Sequence, residues 1–213
     1  MKEYSIWIAG GILSYILGSI PFGFLIAKLK GVDIRTLGSG NIGATNVFRS
    51  VGRTPGMITF AMDVGKGLAA VLLIPLAVSE LTGVALGGKG LPLFCGAMVI
   101  AGHNWTCFLK FKGGKGIATS AGMLIGLAPV CVGIAFAGWL AVFLAFRYVS
   151  VASITACVLL AIAVWPFHMN QEGIWFPLIL DFLALLGVWK HRANIARLKA
   201  GTESRFSFYK TKS

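Results

Sequence analysis

The chain has 213 residues, 57% of them hydrophobic and only 12% charged, with a formal net charge of +12. Soluble domains carry about a quarter charged residues, and a water-soluble fold of this length could not hide so much apolar surface, so lipid must solvate most of it. This excludes a soluble domain and assigns the excess positive charge to cytoplasmic loops facing anionic headgroups or substrates.

The first apolar run covers 4–28. Lys2 is offset by Glu3, and no small-residue cleavage site leads into a polar region, so the run reads as a retained helix and not a signal peptide. The loop 29–53 follows, with Lys30, Arg35, Arg49 and Arg53 against Asp33. It holds Gly38-Ser39-Gly40-Asn41-Ile42-Gly43-Ala44-Thr45-Asn46, then Arg49. Glycines let consecutive N–H groups converge on an anion. Ser39, Asn41, Thr45 and Asn46 add neutral donors, and Arg49 adds a planar fork that matches phosphate. A flexible linker would not need these groups packed so tightly.

The second run, 56–78, contains Asp63-Val64-Gly65-Lys66-Gly67. Asp63 and Lys66 are i,i+3 and share a helix face. Ionisable groups inside a span are functional or form a structural pair, and both readings stand. The third run, 90–109, carries Gly102-His103-Asn104-Trp105, where His103 suits a general base or a hydrogen-bond donor. Next comes Phe111-Lys112-Gly113-Gly114-Lys115-Gly116-Ile117-Ala118-Thr119-Ser120. A glycine loop feeding a helix N-terminus is an anion site by geometry. The GxxxxGK[ST] spacing is absent, so nucleotide binding is not inferred. The two glycine clusters share an Ala-Thr ending, which suggests two phosphate sites.

The stretch 117–146 is too long for one crossing, at about 45 Å against a core about 30 Å thick. A hairpin turning near Pro129 gives helices at 117–128 and 129–146, the first a short broken helix in a protein-lined recess. Runs at 149–167 and 174–190 follow. The tail holds Lys190, Arg192, Arg197, Lys199, Arg205, Lys210 and Lys212 against Glu203. The positive-inside rule puts it in the cytoplasm only if the hairpin is present. The expected fold is therefore all-α and integral to the membrane, a single polytopic domain over 1–213. It has seven transmembrane helices, with the N-terminus out and the C-terminus cytoplasmic. Only 29–53 and the tail could hold surface helices. His168 reads as an outside-loop residue, His191 as headgroup-facing, and mid-span Asp181 as the partner of a buried polar group. Cys95, Cys107, Cys131 and Cys157 lack CxxC spacing and read as small buried apolar residues. In the tail, Asn194 and the lone acid Glu203 do not fit a purely electrostatic anchor.

Together these motifs resemble the bacterial acyl-phosphate:glycerol-3-phosphate acyltransferase family, PlsY. The residues that carry the likeness are 38–46 with Arg49, 63–67, 102–104, 111–119 and the tail from His191 through Glu203, so it covers essentially the whole chain. The resemblance implies transfer of a fatty acyl group from acyl phosphate to the 1-hydroxyl of glycerol 3-phosphate, giving lysophosphatidic acid and phosphate. It also implies a seven-helix fold in the bacterial inner membrane, with the active site on the cytoplasmic face. Ser39, Asn41, Asp63, His103, Asn104 and Glu203 would then be catalytic. Gly40, Thr45, Asn46, Arg49, Lys66, Lys112, Gly114, Lys115, Thr119 and Asn194 would bind phosphate or substrate. Membrane lipids are expected around a monomer, with no metal, cofactor or nucleic acid.

Acyl phosphate is already activated, so positioning two anions and stabilising the oxyanion are the main tasks. There is no GxSxG elbow, and the HxxxxD motif of other glycerol-phosphate acyltransferases is missing: Phe108, Gly173 and Ala196 stand five residues after the histidines. Direct transfer without an acyl-enzyme is expected. The base is His103, Asp63 or the phosphate of glycerol 3-phosphate. A transporter of a small phosphate ester is the competing reading, since broken helices also build such carriers. Against it, the polar groups crowd one face and no matching pair of interrupted spans occurs. A phosphotransferase of the CDP-alcohol type would need clustered aspartates, and Asp33, Asp63 and Asp181 are scattered.

Overall fold

The computed structural model describes residues 2–85 and 87–207, apart from the side chains of Lys2 and Glu3. Lys210 and Lys212 of the basic tail lie outside the described residues. Regular structure among the described residues is entirely helical. The order is α1 (Lys2–Ser19), α2 (Phe22–Leu29), α3 (Ala44–Ser50), α4 (Arg53–Thr82), α5 (Gly90–Asn104), α6 (Ile117–Leu127), α7 (Pro129–Phe146), α8 (Val149–Glu172), α9 (Trp175–Lys190) and α10 (Arg192–Lys199). Single 3-10 turns occupy Ile34–Thr36 and Cys107–Leu109.

Each expected apolar run is helical over most of its length, although the run 90–109 leaves the α-helix after Asn104 and ends in the 3-10 turn Cys107–Leu109. Five stretches among the described residues are long and apolar enough to cross a membrane: Tyr4–Leu29, Arg53–Thr82, Gly90–Leu109, Pro129–Phe146 and Val149–Glu172. α6, with 11 residues, and α9, with 16, are apolar but shorter. Pro129 opens α7 directly after α6, because a ring at the first helical position needs no intrahelical N–H bond. The short helices α3 and α10 lie in the two segments expected to have room for them.

Four details differ from expectation. The first run is broken: α1 stops at Ser19 and α2 starts at Phe22, because Pro21 has no N–H to continue the ladder. α8 continues to Glu172 and ends against Gly173, whose φ of 72° suits glycine. His168 is consequently a buried helical residue, its ring centroid 4.8 Å from that of Phe176, and not a loop residue. His191 is also buried, at the α9–α10 junction, with Nδ1 2.8 Å from the Gly187 carbonyl oxygen, so it does not face headgroups. Cys107 is exposed on its 3-10 turn, whereas the other three cysteines are buried as expected.

The chain forms two compact units, Met1–Leu127 and Ala128–Ser213. In the first, α4 packs on α6 and α1 packs on α5, with α4 also touching α1 and α5. The α4–α6 contact is glycine-mediated on both sides. A Cβ on Gly67 would overlap the Thr119 carbonyl oxygen, and one on Gly122 would overlap the Val64 carbonyl oxygen. Small residues allow such backbone approach where lipid provides no hydrophobic drive. In the second unit, α8 packs against α7 and α9. Mid-span Asp181 has the polar partner expected of it: Trp165 Nε1 donates to Asp181 Oδ2 at 3.0 Å.

Candidate active site

The first glycine-rich loop is a packed substructure. Ala27, Ile34, Ile42 and Val47 form a buried cluster beneath it, flanked by Phe24, Val51 and Leu109. Asn46 organises the backbone above. Its Nδ2 donates to the carbonyls of Leu37 (3.0 Å), Asn41 (2.9 Å) and Ile34 (3.3 Å), and its Oδ1 accepts from Ser39 N at 3.1 Å. The Asn46 amide, expected to bind substrate, is thus engaged inside the loop. Asn41 Oδ1 accepts from Gly43 N at 2.8 Å, an Asx turn that leads into α3. Ser39 and Gly40 remain exposed at the tip, with Thr45 half-buried and Arg49 exposed on α3. Asp33 accepts from Arg35 Nη2 at 2.6 Å, and the Arg35 hydrogen bonds hold its carboxyl at about 2. Asp33 therefore stays ionised but spoken for, and does not offset the other loop cations.

Beneath this loop, α4 presents Thr59, Asp63 and Lys66, all buried on one face. Lys66 Nζ lies 2.9 Å from Asp63 Oδ1, donates to the Ile20 carbonyl at 3.1 Å and sits 5.4 Å from the centre of the Phe22 ring. The α1–α2 break thus supplies an acceptor that an unbroken helix would have used itself. These partners use the Lys66 ammonium internally. The third member is His103 of α5, with Nδ1 3.5 Å from Asp63 Oδ1, an electrostatic contact longer than a formed hydrogen bond. All three residues are at most 6% exposed.

The second glycine-rich loop folds back on α5. Thr106 anchors its start: the hydroxyl donates to the Ser19 carbonyl, and the Thr106 carbonyl accepts from Leu109 N and from Phe111 N at 2.9 Å. Tyr15 Oη donates to the Trp105 carbonyl at 2.7 Å. The chain reverses through Lys110 (φ 52°) and Phe111 (φ 59°), two left-handed non-glycine residues in succession. Gly114 N then donates to the His103 carbonyl at 3.0 Å. A Cβ at Gly114 would overlap the His103 ring at Nε2, and one at Gly113 would overlap the His103 carbonyl. Gly116 lies against the Asn104 carboxamide. The glycines therefore seat this loop on His103 and Asn104, a long-range reason that no local pattern reveals. Lys112 is exposed, Lys115 half-buried, and α6 begins at Ile117. One turn in, Thr119 is fully buried, and its hydroxyl has no hydrogen-bond partner among the described residues.

Leu109 joins the two loops, because it packs on the core beneath the first and leads directly into the second. Ser39, Gly40, Asn41, Thr45, Asn46, Arg49, Asp63, Lys66, His103, Asn104, Lys112, Gly114, Lys115 and Thr119 all belong to the first compact unit.

Asn194 and Glu203 belong to the second unit, where they form a clasp. Glu203 Oε1 accepts from Asn194 Nδ2 at 2.7 Å and Ser150 Oγ at 2.8 Å, and Oε2 accepts from Arg197 Nε at 2.7 Å. Ser150 and Arg197 were not legible as partners, since nothing in sequence spacing links 150 to 203. Burial pushes the Glu203 carboxyl up, but the hydrogen bonds from Asn194, Ser150 and Arg197 outweigh it, so it lies below the usual 4.5. A depressed folded value stabilises the clasp fully above the unfolded value, and this is lost as pH falls through the folded one. We expect the protection of α10 amides, taken against the intrinsic exchange rate at each pH, to fall as the pH drops below 4.5. Glu203→Gln should abolish that acid dependence while costing about 2 kcal/mol at neutral pH, because a carboxamide cannot accept all three bonds as strongly. Unchanged acid-induced loss of protection in the variant would rule this out.

The glycerol-3-phosphate acyltransferase family profile matches residues 8–201. A glycerol-3-phosphate acyltransferase from Desulforudis audaxviator is 50% identical over 199 residues, covering 93% of this chain and 94% of the relative. One from Desulforamulus reducens is 45% identical over the same length and coverage. The crystal structure of PlsY, an integral membrane glycerol 3-phosphate acyltransferase, in its glycerol 3-phosphate form is 38% identical with a TM-score of 0.82, covering 94% of this chain and 96% of that one. Its lysophosphatidic acid form is similar with a TM-score of 0.76, covering 94% and 95%.

Proposed function

The chain belongs to the glycerol-3-phosphate acyltransferase family, and we propose that it moves a fatty acyl group from acyl phosphate to the 1-hydroxyl of glycerol 3-phosphate by direct transfer. The hydroxyl oxygen attacks the acyl carbonyl carbon. The new ester C–O bond forms, the anhydride C–O bond to phosphate breaks, and inorganic phosphate leaves with lysophosphatidic acid as the other product. A glycerol 3-phosphate form and a lysophosphatidic acid form of the similar PlsY structure support this substrate and product.

The observation that carries the reading is the joining of two cationic glycine-rich loops through Leu109 over a buried Asp63–Lys66–His103 cluster. Two adjacent anion sites suit a reaction between two phosphate-bearing molecules. Ser39, Asn41 and the backbone around Gly40 donate to the reacting carbonyl and its oxyanion, and Arg49, Thr45, Lys112 and Lys115 hold phosphate oxygens, whereas Thr119 is buried behind them in the first turn of α6. Lys66 and Asn46 act by holding the fold beneath these groups, since their polar atoms are engaged internally. Asn104 and Gly114 seat the second loop, and Asn194 and Glu203 order the tail segment of their own unit. Asp63 and His103 are buried in the same internal cluster, so the attacking hydroxyl's proton passes to a substrate phosphate oxygen. No cofactor or metal enters the reaction.

The charge excess of the loops at 29–53 and 110–116 and of the tail supports seven crossings, with the N-terminus out and the C-terminus in, and a cytoplasmic reaction at the inner membrane of a bacterium. The chain acts as a monomeric polytopic membrane domain among lipids.

The test is purified protein in detergent, supplied with acyl phosphate and glycerol 3-phosphate. Formation of lysophosphatidic acid is expected, whereas a transporter would leave both molecules unchanged. Lys115→Ala and Arg49→Ala should each lower kcat/KM about 100-fold, the scale of losing one charged hydrogen bond to a reacting anion. Full activity in both variants would refute the phosphate assignment, and a covalent acyl-enzyme trapped in a single turnover would refute direct transfer.

A further inference from the structure

The acidic residues of the second unit are Glu172, Asp181 and Glu203. Two of them stand away from the segment that follows α9. Glu172 closes α8, about 35 Å of helix from its start, and Asp181 sits in the middle of α9 against Trp165. Glu203 is taken by Asn194, Ser150 and Arg197. Arg192 and Lys199, the first and last residues of α10, have no carboxylate within ion-pair distance among the described residues. With Ala196 they follow an i, i+4, i+7 spacing, so all three share one exposed face, while Asn194 is buried on the other.

Contacts at both ends fix the level at which this face stands. The Arg192 guanidinium lies 4.1 Å from the centre of the Trp189 ring, and that indole is half-exposed in the last turn of α9. Indoles gather at the boundary of bilayer and water, because their apolar body and polar N–H favour different solvents. Beyond α10 the chain folds back on the start of α8. Phe206 N donates to the Arg147 carbonyl at 2.7 Å, and Arg205 Nε donates to Tyr148 Oη at 3.0 Å. α10 is thus held at both ends beside the ends of α8 and α9. Its outer face carries cations and alanines and no large apolar side chain, so it does not sink among acyl chains. A cationic face at the depth of the headgroups is the complement of a layer of lipid phosphates.

We propose that Arg192 and Lys199 bind the phosphodiester headgroups of anionic lipids, and that this contact holds the Glu203 clasp closed. The two faces of α10 make the link. Its inner face supplies Asn194 to Glu203, and Arg197 closes the same carboxylate, so whatever keeps α10 helical and docked also keeps the clasp formed. Each cation near an anionic leaflet strengthens binding about fivefold, so the two together are worth about 25-fold. Neither side chain touches the reacting atoms. The charge of the surrounding bilayer is thereby coupled to the order of the tail segment.

The experiment measures hydrogen exchange of α10 amides at neutral pH, with the full chain in nanodiscs of phosphatidylcholine alone or with phosphatidylglycerol as a minor component. Protection of α10 should rise at least about fivefold, the effect of one cation, when phosphatidylglycerol is present. About 1 M salt should abolish the gain, because the screening length falls to about 3 Å. Lys199→Gln should remove most of the gain, and Arg192→Gln with Lys199→Gln should remove all of it. Arg53→Gln, which deletes an exposed cation of the first unit, should leave it intact. Lys199→Gln alone decides the matter if the double variant does not fold, since Lys199 is exposed at the end of its helix. Equal protection in the two lipid mixtures overturns the proposal. So does a gain that survives both variants, or one that Arg53→Gln removes equally, because general surface charge would then be the cause. If inorganic phosphate in phosphatidylcholine nanodiscs gives the same gain, the face takes free phosphate and the lipid assignment fails.

Discussion

Asp63→Asn is expected to lower kcat/KM at least about 100-fold, the effect of displacing reacting groups by about 1 Å. Asp63 is the shared acceptor between Lys66 at 2.9 Å and His103 at 3.5 Å. Removing its charge leaves the Lys66 ammonium with neutral acceptors and the Phe22 ring but no counter-charge, and breaking such a buried pair destabilises by about 3–5 kcal/mol. His103 loses its charged neighbour at 3.5 Å, and the loop seated on it through Gly113 and Gly114 shifts with it. His103→Asn separates catalysis from stability, because it removes the ring without stranding a buried ammonium. It should reproduce most of the rate loss with a smaller change in denaturation midpoint. The pH dependence of kcat/KM identifies the role. If Asp63 and His103 only position the loop, the residual activity of both variants keeps the unmodified profile. Loss of a limb of that profile in either variant would show that the missing group is itself the base.

The second large effect concerns the α4–α6 crossing. Gly67→Ala and Gly122→Ala each place a methyl group on a backbone carbonyl of the opposing helix, at Thr119 and Val64 respectively. Backbone cannot yield as a flexible side chain can, so the helices must separate. Each variant should lose about 3 kcal/mol, at the upper end of overpacking costs, measured by denaturant titration in detergent. Because α6 follows the second loop directly, activity should fall more steeply than stability. Gly65→Ala provides the contrast. Nothing lies within 4 Å of a Cβ there, and alanine is the better helix former, so this variant should be neutral or slightly stabilising. Equal losses at 65, 67 and 122 would mean that general glycine content, and not the crossing, governs stability.

These two cases mark what was legible in the sequence. Helix positions were, because apolar runs and Pro129 report local preference and partition into lipid. The i,i+3 spacing of Asp63 and Lys66 announced their pairing. The break at Pro21 was also within reach, since a proline inside an apolar run signals an interruption, but composition alone favoured one continuous helix. The third partner, His103, was visible only as a polar residue near a helix end, because what joins 63 to 103 is a tertiary contact. Glycines 113, 114 and 116 look in the sequence like a cradle for an anion, and they also make room for α5. Both roles ask for the same residue, so sequence could not separate them. The same limit hid Ser150 as a partner of Glu203.

The spacing of Asp63 and Lys66 has a consequence for how the protein enters the bilayer. Each charged side chain adds about 2.5–3.5 kcal/mol to the insertion of an isolated segment when it lies at the segment's centre. The Asp63–Lys66 contact lies within a single turn of α4, so it can close as soon as that turn is helical. α4 then meets the insertion machinery as a nearly neutral segment before α5 has been synthesised. His103 joins a cluster whose charge has already been cancelled. The local pair thus lets an intramembrane ionic centre be installed one helix at a time.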